Sequence, residues 1–217
     1  MMSIVKKGTS LAAAVAKDSA KPIGATAAAT ETLMIALDTS GSMRTEVAGA
    51  RSRMHAAIAA AEGLMDASSV LSHIGVLAFH DQVAEVHDPA TQRGKAREAL
   101  RGFTKHEGGT VFCEALKQSL GKIVIHKWGT VKRIIFLSDG EDTGDLYDLN
   151  REVTNCKEAG VIIDTVMFGD SGPGEQTLRM MSEKTGGIFC LAKDAASLRK
   201  VFLALEAGVR GLLAKGK

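Results

Sequence analysis

The fold class this sequence predicts is α/β: an open, doubly wound, mainly parallel sheet with one antiparallel edge strand. Three observations predict it. Apolar runs such as Leu33-Met34-Ile35-Ala36-Leu37 and Ile134-Ile135-Phe136-Leu137 carry no polar alternation, the mark of strands buried on both faces. Amphipathic helical patterns alternate with those runs, which implies parallel strands joined by helical crossovers. Two of the runs end in a carboxylate, Asp38 and Asp139, and ligands of such sheets bind at the carboxyl ends of the strands.

Taken in order, residues 1–30 are rich in Ala, Ser, Thr and Lys and are broken by Pro22 and Gly24. They read as an arm that is flexible or ordered by a partner, with Ile4, Val5 and Leu11 as candidate anchors. Leu11–Ala16 is too short and too weakly apolar for a secretory core. The domain proper spans about 31–213, and 214–217 form a tail. After the first strand, the Ala-rich stretch from about Arg44 to Ala67 predicts a long helix with Val47, Met54, Ile58, Ala61 and Met65 on one stripe. Ser72–Phe79 and Val83–His87 read as a hairpin turning at His80-Asp81-Gln82, with Pro89 ending its second strand. A short helix follows near Arg93–Arg101. Thr110 opens another helix with Leu116, Leu120 and Ile123 inside, and Trp128 covers the lower end of the core. The strand Lys132–Asp139 precedes an acidic loop, then a helix with Leu146, Leu149, Val153 and Cys156 in phase, stopped at Gly160. Val161–Phe168 is a strand, Glu175–Thr185 a helix and Gly187–Leu191 a strand. Asp194 caps a last helix whose stripe is Leu198, Phe202, Leu205, Val209 and Leu212.

The chain has 217 residues, 45% hydrophobic content and a formal charge of only +2. That is ample for one core. No apolar run is long enough to span a membrane. The charge is uneven: both ends are basic and the middle acidic, which is not the basic stripe of a nucleic-acid binder. Three cysteines, Cys113, Cys156 and Cys190, are an odd number without close spacing. They read as buried, reduced thiols and give a cytoplasmic expectation.

Candidate chemistry concentrates where the first strand ends. Asp38, Ser40 and Ser42 alternate, so an extended chain points a carboxylate and two hydroxyls the same way. Oxygen donors without Cys or His suit a hard divalent cation; the competing reading is a capping turn. Thr110 follows the turn-forming Gly108-Gly109, and Asp139 ends its own strand. Right-handed crossovers bring both to the same edge. Glu107, Glu141, Asp142 and Asp145 then lie on the rim with His106, as a solvated acidic border or as partner contacts. His80 and Asp81 serve the hairpin turn, and Cys113 packs as an inert thiol.

Asp38-Thr39-Ser40-Gly41-Ser42 resembles the Asp-x-Ser-x-Ser signature of the von Willebrand factor A domain. The Gly-Gly-Thr ending at Thr110 and the Leu-Ser-Asp-Gly-Glu ending at Glu141 resemble its second and third metal-loop segments, in the right order. The resemblance covers roughly residues 31–213. It implies a metal-ion-dependent adhesion site in which Ser40 and Ser42 bind the ion directly. Thr110 and Asp139 would alternate between direct and water-mediated contact, and Asp38 would act largely through water. The implied cofactor is Mg²⁺, with Ca²⁺ or Mn²⁺ as alternatives. The implied partner is a protein that contributes an Asp or Glu to the ion. The small size and unpaired cysteines look more like stand-alone bacterial or phage members, such as those of tellurite-resistance and AAA+-associated stress operons. The family's mechanics also imply that the final helix shifts on ligation.

Two other classes compete. In a scaffold protein the arm would dock and the metal would only brace the loops. In a Mg²⁺-dependent phosphate-processing enzyme Asp38 would need a second acid two residues on, where Ser40 stands, and no Walker loop occurs. The expectation is a non-catalytic binding module.

Overall fold

Strand β1 (Glu31–Asp38) is buried along its whole length. Leu33, Ile35 and Leu37 face one side and Met34 and Ala36 the other, so each face needs its own cover. The computed structural model describes residues 30–103, 108–126 and 129–215. Its other strands are β2 (His73–Phe79), β3 (Val83–Ala90), β4 (Val131–Ser138), β5 (Val161–Phe168) and β6 (Phe189–Ala192). Among the described residues they form a six-stranded sheet in the order β3-β2-β1-β4-β5-β6. Every pairing is parallel except β2 with β3. The α/β class with one antiparallel edge strand is therefore as expected.

The covers are helices α1 (Arg53–Ala67), α2 (Arg93–Gly102), α3 (Phe112–His126), α4 (Leu146–Glu158), α5 (Gly174–Thr185) and α6 (Ala195–Lys215). Met54, Ala57, Ala61, Leu64 and Met65 of α1 bury against Leu33, Ile35 and Leu37, together with Leu100 of α2 and Leu198 and Phe202 of α6. On the opposite face, α3, α4 and α5 supply Leu116, Ile123, Leu149, Val153 and Leu178. Phe79, Phe112 and Phe136 meet there with ring centroids 4.7–6.1 Å apart, directly below the carboxyl end of the sheet. Burying each ring stabilises the fold by about 1.5–3 kcal/mol, and pairing adds about 0.5–1.5 kcal/mol.

Two boundaries differ from the sequence reading for physical reasons. The helix expected from Arg44 starts only at Arg53, because Gly41–Arg44 forms a 3₁₀ turn and Val47 bridges to Ala50. Gly49, at φ +86°, lets that bridge close. Val47 thus packs on the core from a loop rather than from the α1 stripe. Strand β3 also runs through Pro89 to Ala90. An edge strand tolerates a residue that cannot donate, and the register shifts between Ile74 and Val76 beside it. Leu146, placed on an inner stripe by its phase, is exposed at the first turn of α4. The arm 1–29, His106, Glu107 and Trp128, and the side chains of Val209 and Leu212, lie outside the described residues.

A charged cluster closes the lower end of the sheet. Arg133 of β4, only 3% exposed, donates from Nη1 to Glu31 Oε1 at 2.9 Å and from Nε to Asp164 Oδ2 at 2.9 Å. Glu206 of α6 is buried nearby and, like Asp164, raises the Glu31 carboxyl. Burial pushes that carboxyl above its ordinary range, and Arg133 opposes the push. Removing the cation would leave buried carboxylates uncompensated. Arg133→Ala is expected to cost about 3–5 kcal/mol of stability, measured by urea denaturation.

Candidate metal centre

At the other end of the sheet, Asp38 closes β1 and Asp139 follows β4, its parallel neighbour. The chain leaves β1 through Thr39, whose N–H and hydroxyl both donate to the Phe79 carbonyl, at 2.6 and 2.9 Å. That anchor directs the next residues across the sheet edge. The Ser40 N–H then donates to Asp38 Oδ1 at 2.8 Å, and the 3₁₀ turn swings Ser42 back toward β4. The Ser40 and Ser42 hydroxyls lie 3.0 Å apart, and Ser42 Oγ donates to Asp139 Oδ1 at 2.6 Å. Thr110 Oγ1 lies 3.5 Å from Asp38 Oδ2.

All five residues singled out as ligands from the sequence thus meet at one place. The second loop is braced toward it. The Thr110 carbonyl accepts from the Thr143 N–H and hydroxyl at 2.8 and 2.9 Å. The Val111 N–H donates to the His80 carbonyl at 2.8 Å, so the hairpin turn supports this loop. His80 Nδ1 pairs with Asp81. Gly108 sits at φ +73°, where a Cβ would lie 2.7 Å from the Asp81 carboxylate. The positive φ favours glycine there, and a Cβ would also require the Asp81 carboxylate to shift.

The rim acids divide. Glu141 is exposed. Asp142 Oδ1 instead accepts from the Phe112 N–H at 3.0 Å and the Gly144 N–H at 3.1 Å, capping α3 and tightening its own loop. Asp145 caps α4 through the Asp148 N–H at 3.0 Å. Burial raises the Cys113 thiol, in keeping with a packing role.

Two participants were not singled out from the sequence. Ser138, buried at the end of β4, donates from Oγ to Asp38 Oδ2 at 2.6 Å. Arg53 Nη1 donates to Asp139 Oδ2 at 2.7 Å. Ser138 was within reach of a strand-end alignment, since Leu37 pairs with Leu137 and Ser138 then comes level with Asp38. Arg53 lies 86 positions from its partner and carries no local signal.

The donor set suits a hard cation. Adjacent oxygens of an octahedral shell with ~2.1 Å bonds are about 3 Å apart. The 3.0 Å between the two serine hydroxyls fits one edge of such a shell, while the 2.6 Å from Ser42 to Asp139 is a direct hydrogen bond that would have to lengthen to form a second. Among the described residues no group of three His, Cys, Asp or Glu side chains could hold a metal, so the mixed hydroxyl and carboxylate set is the candidate. Burial pushes the Asp38 carboxyl up to about 6, against the hydrogen bonds from Ser138 and Ser40, while Asp139 adds to the rise. A neighbouring cation would oppose that rise.

Comparison with known families places this geometry. Residues 33–141 match the model of the von Willebrand factor type A domain. The chain belongs to that family. VWA domains often mediate protein–protein interaction and commonly bind a divalent metal. Among solved structures, the domain resembles a von Willebrand factor type A protein from Catenulispora acidiphila, with TM-score 0.68 and 24% identity over 82% of this chain. It spans 42% of that protein's length. It also resembles BatB from Bacteroides thetaiotaomicron, with TM-score 0.68 and 18% identity over 85% of this chain and 98% of that one. The PilB minor pilin from Streptococcus sanguinis matches with TM-score 0.69 and 11% identity over 87% of this chain and 64% of that one. These likenesses are of fold. No curated protein matches the sequence.

The raised Asp38 carboxyl has a consequence for the metal-free VWA domain. Its folded-state value of about 6 exceeds the ordinary 3.8, so the folded protein holds an extra proton between them and stability falls as pH rises through that window. Asp38→Asn removes the buried charge. In EDTA at pH 7 the variant is expected to be more stable by about 1–3 kcal/mol, with a flatter dependence between pH 4 and 6. Chemical denaturation across pH checks both.

Proposed function

We propose that this VWA domain is a metal-dependent protein-interaction module, in which a Mg²⁺ site at the carboxyl end of β1 and β4 receives an Asp or Glu from a partner. The observation that carries the reading is the convergence of Ser40, Ser42 and Asp139 oxygens at spacings of 3.0 and 2.6 Å. These three would face the ion, while Asp38 and Thr110 would hold its waters. A bound divalent cation would supply a Lewis-acidic position open to an outside anion. Mg²⁺ suits the spacing and the oxygen donors; Mn²⁺ and Ca²⁺ share the preference for oxygen.

The surroundings support an interface rather than a reaction. Both oxygens of Asp38 are engaged, by the Ser40 N–H and the Ser138 hydroxyl. Both oxygens of Asp139 are engaged too, by Ser42 and Arg53. Neither carboxylate is a free nucleophile or base, so the reading is non-catalytic. Just beyond the acidic loop, Leu146 and Tyr147 stand exposed at the start of α4, 57% and 78% accessible. Apolar and aromatic residues around a polar anchor exclude water from it when a partner docks. Burial raises all three thiols, Cys156 to about 12. Inert thiols suit a cytoplasmic, stand-alone member.

Isothermal titration of the full chain with MgCl₂ tests the site. The expected outcome is one binding event, lost in Ser42→Ala and Asp139→Ala with the fold intact by circular dichroism. Proteins captured from the host on immobilised chain are expected to elute with EDTA and to be missing from the Asp139→Ala column. Capture indifferent to both would return the binding to another surface and overturn the reading.

A further inference from the structure

We infer that Arg53 sets the charge of the metal centre and thereby makes it select an anionic ligand. The inference deepens the function proposed above and rests on Mg²⁺ binding at that site.

Arg53 is held by three parts of the fold. It is the first residue of α1, just after the N-cap Ser52, whose hydroxyl accepts from the His55 N–H at 3.3 Å. Its own N–H donates to the Thr45 carbonyl at 2.9 Å, tying it to the chain that leaves the Ser42 turn. The side chain then crosses to β4, where Nη1 meets Asp139 Oδ2 at 2.7 Å. Beside it, Gly169 follows β5 at φ +129°, and a Cβ there would lie 3.1 Å from Arg53 Nη2. A larger residue would crowd the guanidinium. The Asp139 side chain is fully buried and that of Arg53 only 23% exposed, so solvent screens the pair weakly.

Charge follows from this placement. Two carboxylates, Asp38 and Asp139, touch the serine hydroxyls. With a divalent cation alone the inner cluster would be neutral, and water would complete the shell without an electrostatic deficit. Arg53 adds one positive charge that does not titrate near neutral pH. The loaded cluster then carries a net positive charge, which an outside carboxylate cancels. Arg53 accordingly weakens metal binding and strengthens anion binding to the loaded site. It also occupies Asp139 Oδ2, leaving Oδ1 toward Ser42.

The test compares wild type, Arg53→Met, Arg53→Gln and Arg53→Lys as full chains. Mg²⁺ affinity is measured by titration calorimetry in sodium chloride and again in sodium acetate of equal ionic strength. In chloride, Arg53→Met and Arg53→Gln are expected to bind Mg²⁺ roughly tenfold more tightly than wild type. Acetate should raise the apparent Mg²⁺ affinity of wild type by linkage and raise it less in those two variants. Arg53→Lys should behave as wild type. Arg53→Gln keeps a donor for Asp139 and serves if Arg53→Met does not fold. Unchanged or weaker Mg²⁺ binding in folded charge-removing variants would overturn the inference while leaving the proposed function intact. A folded wild type that binds no Mg²⁺ overturns both.

Discussion

The placement of one carboxylate at the end of a strand buried on both sides constrains the rest of this structure. Asp38 is fully inaccessible, and an ion in that position is costly unless every lone pair finds a partner. The neighbouring chain answers the requirement atom by atom. The Ser40 N–H turns back onto Oδ1, Ser138 reaches Oδ2 from the next strand, and Thr110 approaches Oδ2 from the second loop. The 3₁₀ turn, the strand order and the glycine loop each follow from the need to bring those partners in. Hydrogen bonds do not fully offset the desolvation, since the carboxyl still sits at about 6. The remaining imbalance favours a cation.

The sheet treats buried charge differently at its two ends. At the lower end, Arg133 lies between Glu31 and Asp164 and pairs with both carboxylates. At the upper end, Arg53 engages Asp139, while Asp38 accepts from the neutral Ser40 N–H and Ser138 hydroxyl. The first arrangement is a strut. The second has a cation on one carboxylate and only neutral partners on the other, an asymmetry that a bound cation would relieve.

Local pattern made most of the fold readable. Strands buried on both faces announce themselves as uninterrupted apolar runs, and alternation with helices leaves few topologies. The five ligand candidates were readable because alternate spacing in Asp38, Ser40 and Ser42, the strand-end carboxylate Asp139, and the Gly108-Gly109 turn before Thr110 are local signals too. What stayed hidden is non-local. Glu31 opens the first strand with no partner near it in sequence, yet its side chain pairs with Arg133 across 102 positions. Arg53 sat within a stretch of high helix propensity, and the local mark of the true helix start, the N-cap Ser52, was masked by it. Tertiary structure overrode propensity there, because the chain from Thr45 to Ser52 must carry Ser42 to one side of the site and Arg53 to the other. Pro89 misled for the opposite reason: a strong local rule was relaxed by an edge position.

That same connecting segment gives the expected response of the last helix a physical path. Between Ser42 and Arg53, the Ala48 carbonyl accepts from the N–H of Ala195, the first residue of α6, at 3.1 Å. Gly49 lies against Ala195, with space for a Cβ only at 3.4 Å. A single loop thus joins the Ser42 hydroxyl, Arg53 and the start of α6. Coupling through a packed network requires contiguous contacts that both sites bias. Here the contacts run through the backbone of one loop rather than through the core. The core itself, with Leu198 and Phe202 fully buried between α6 and the sheet, resists graded deformation. The contact that would carry a displacement of this loop to α6 is therefore at Ala195, the helix's amino end, where the Ala48 carbonyl accepts its N–H.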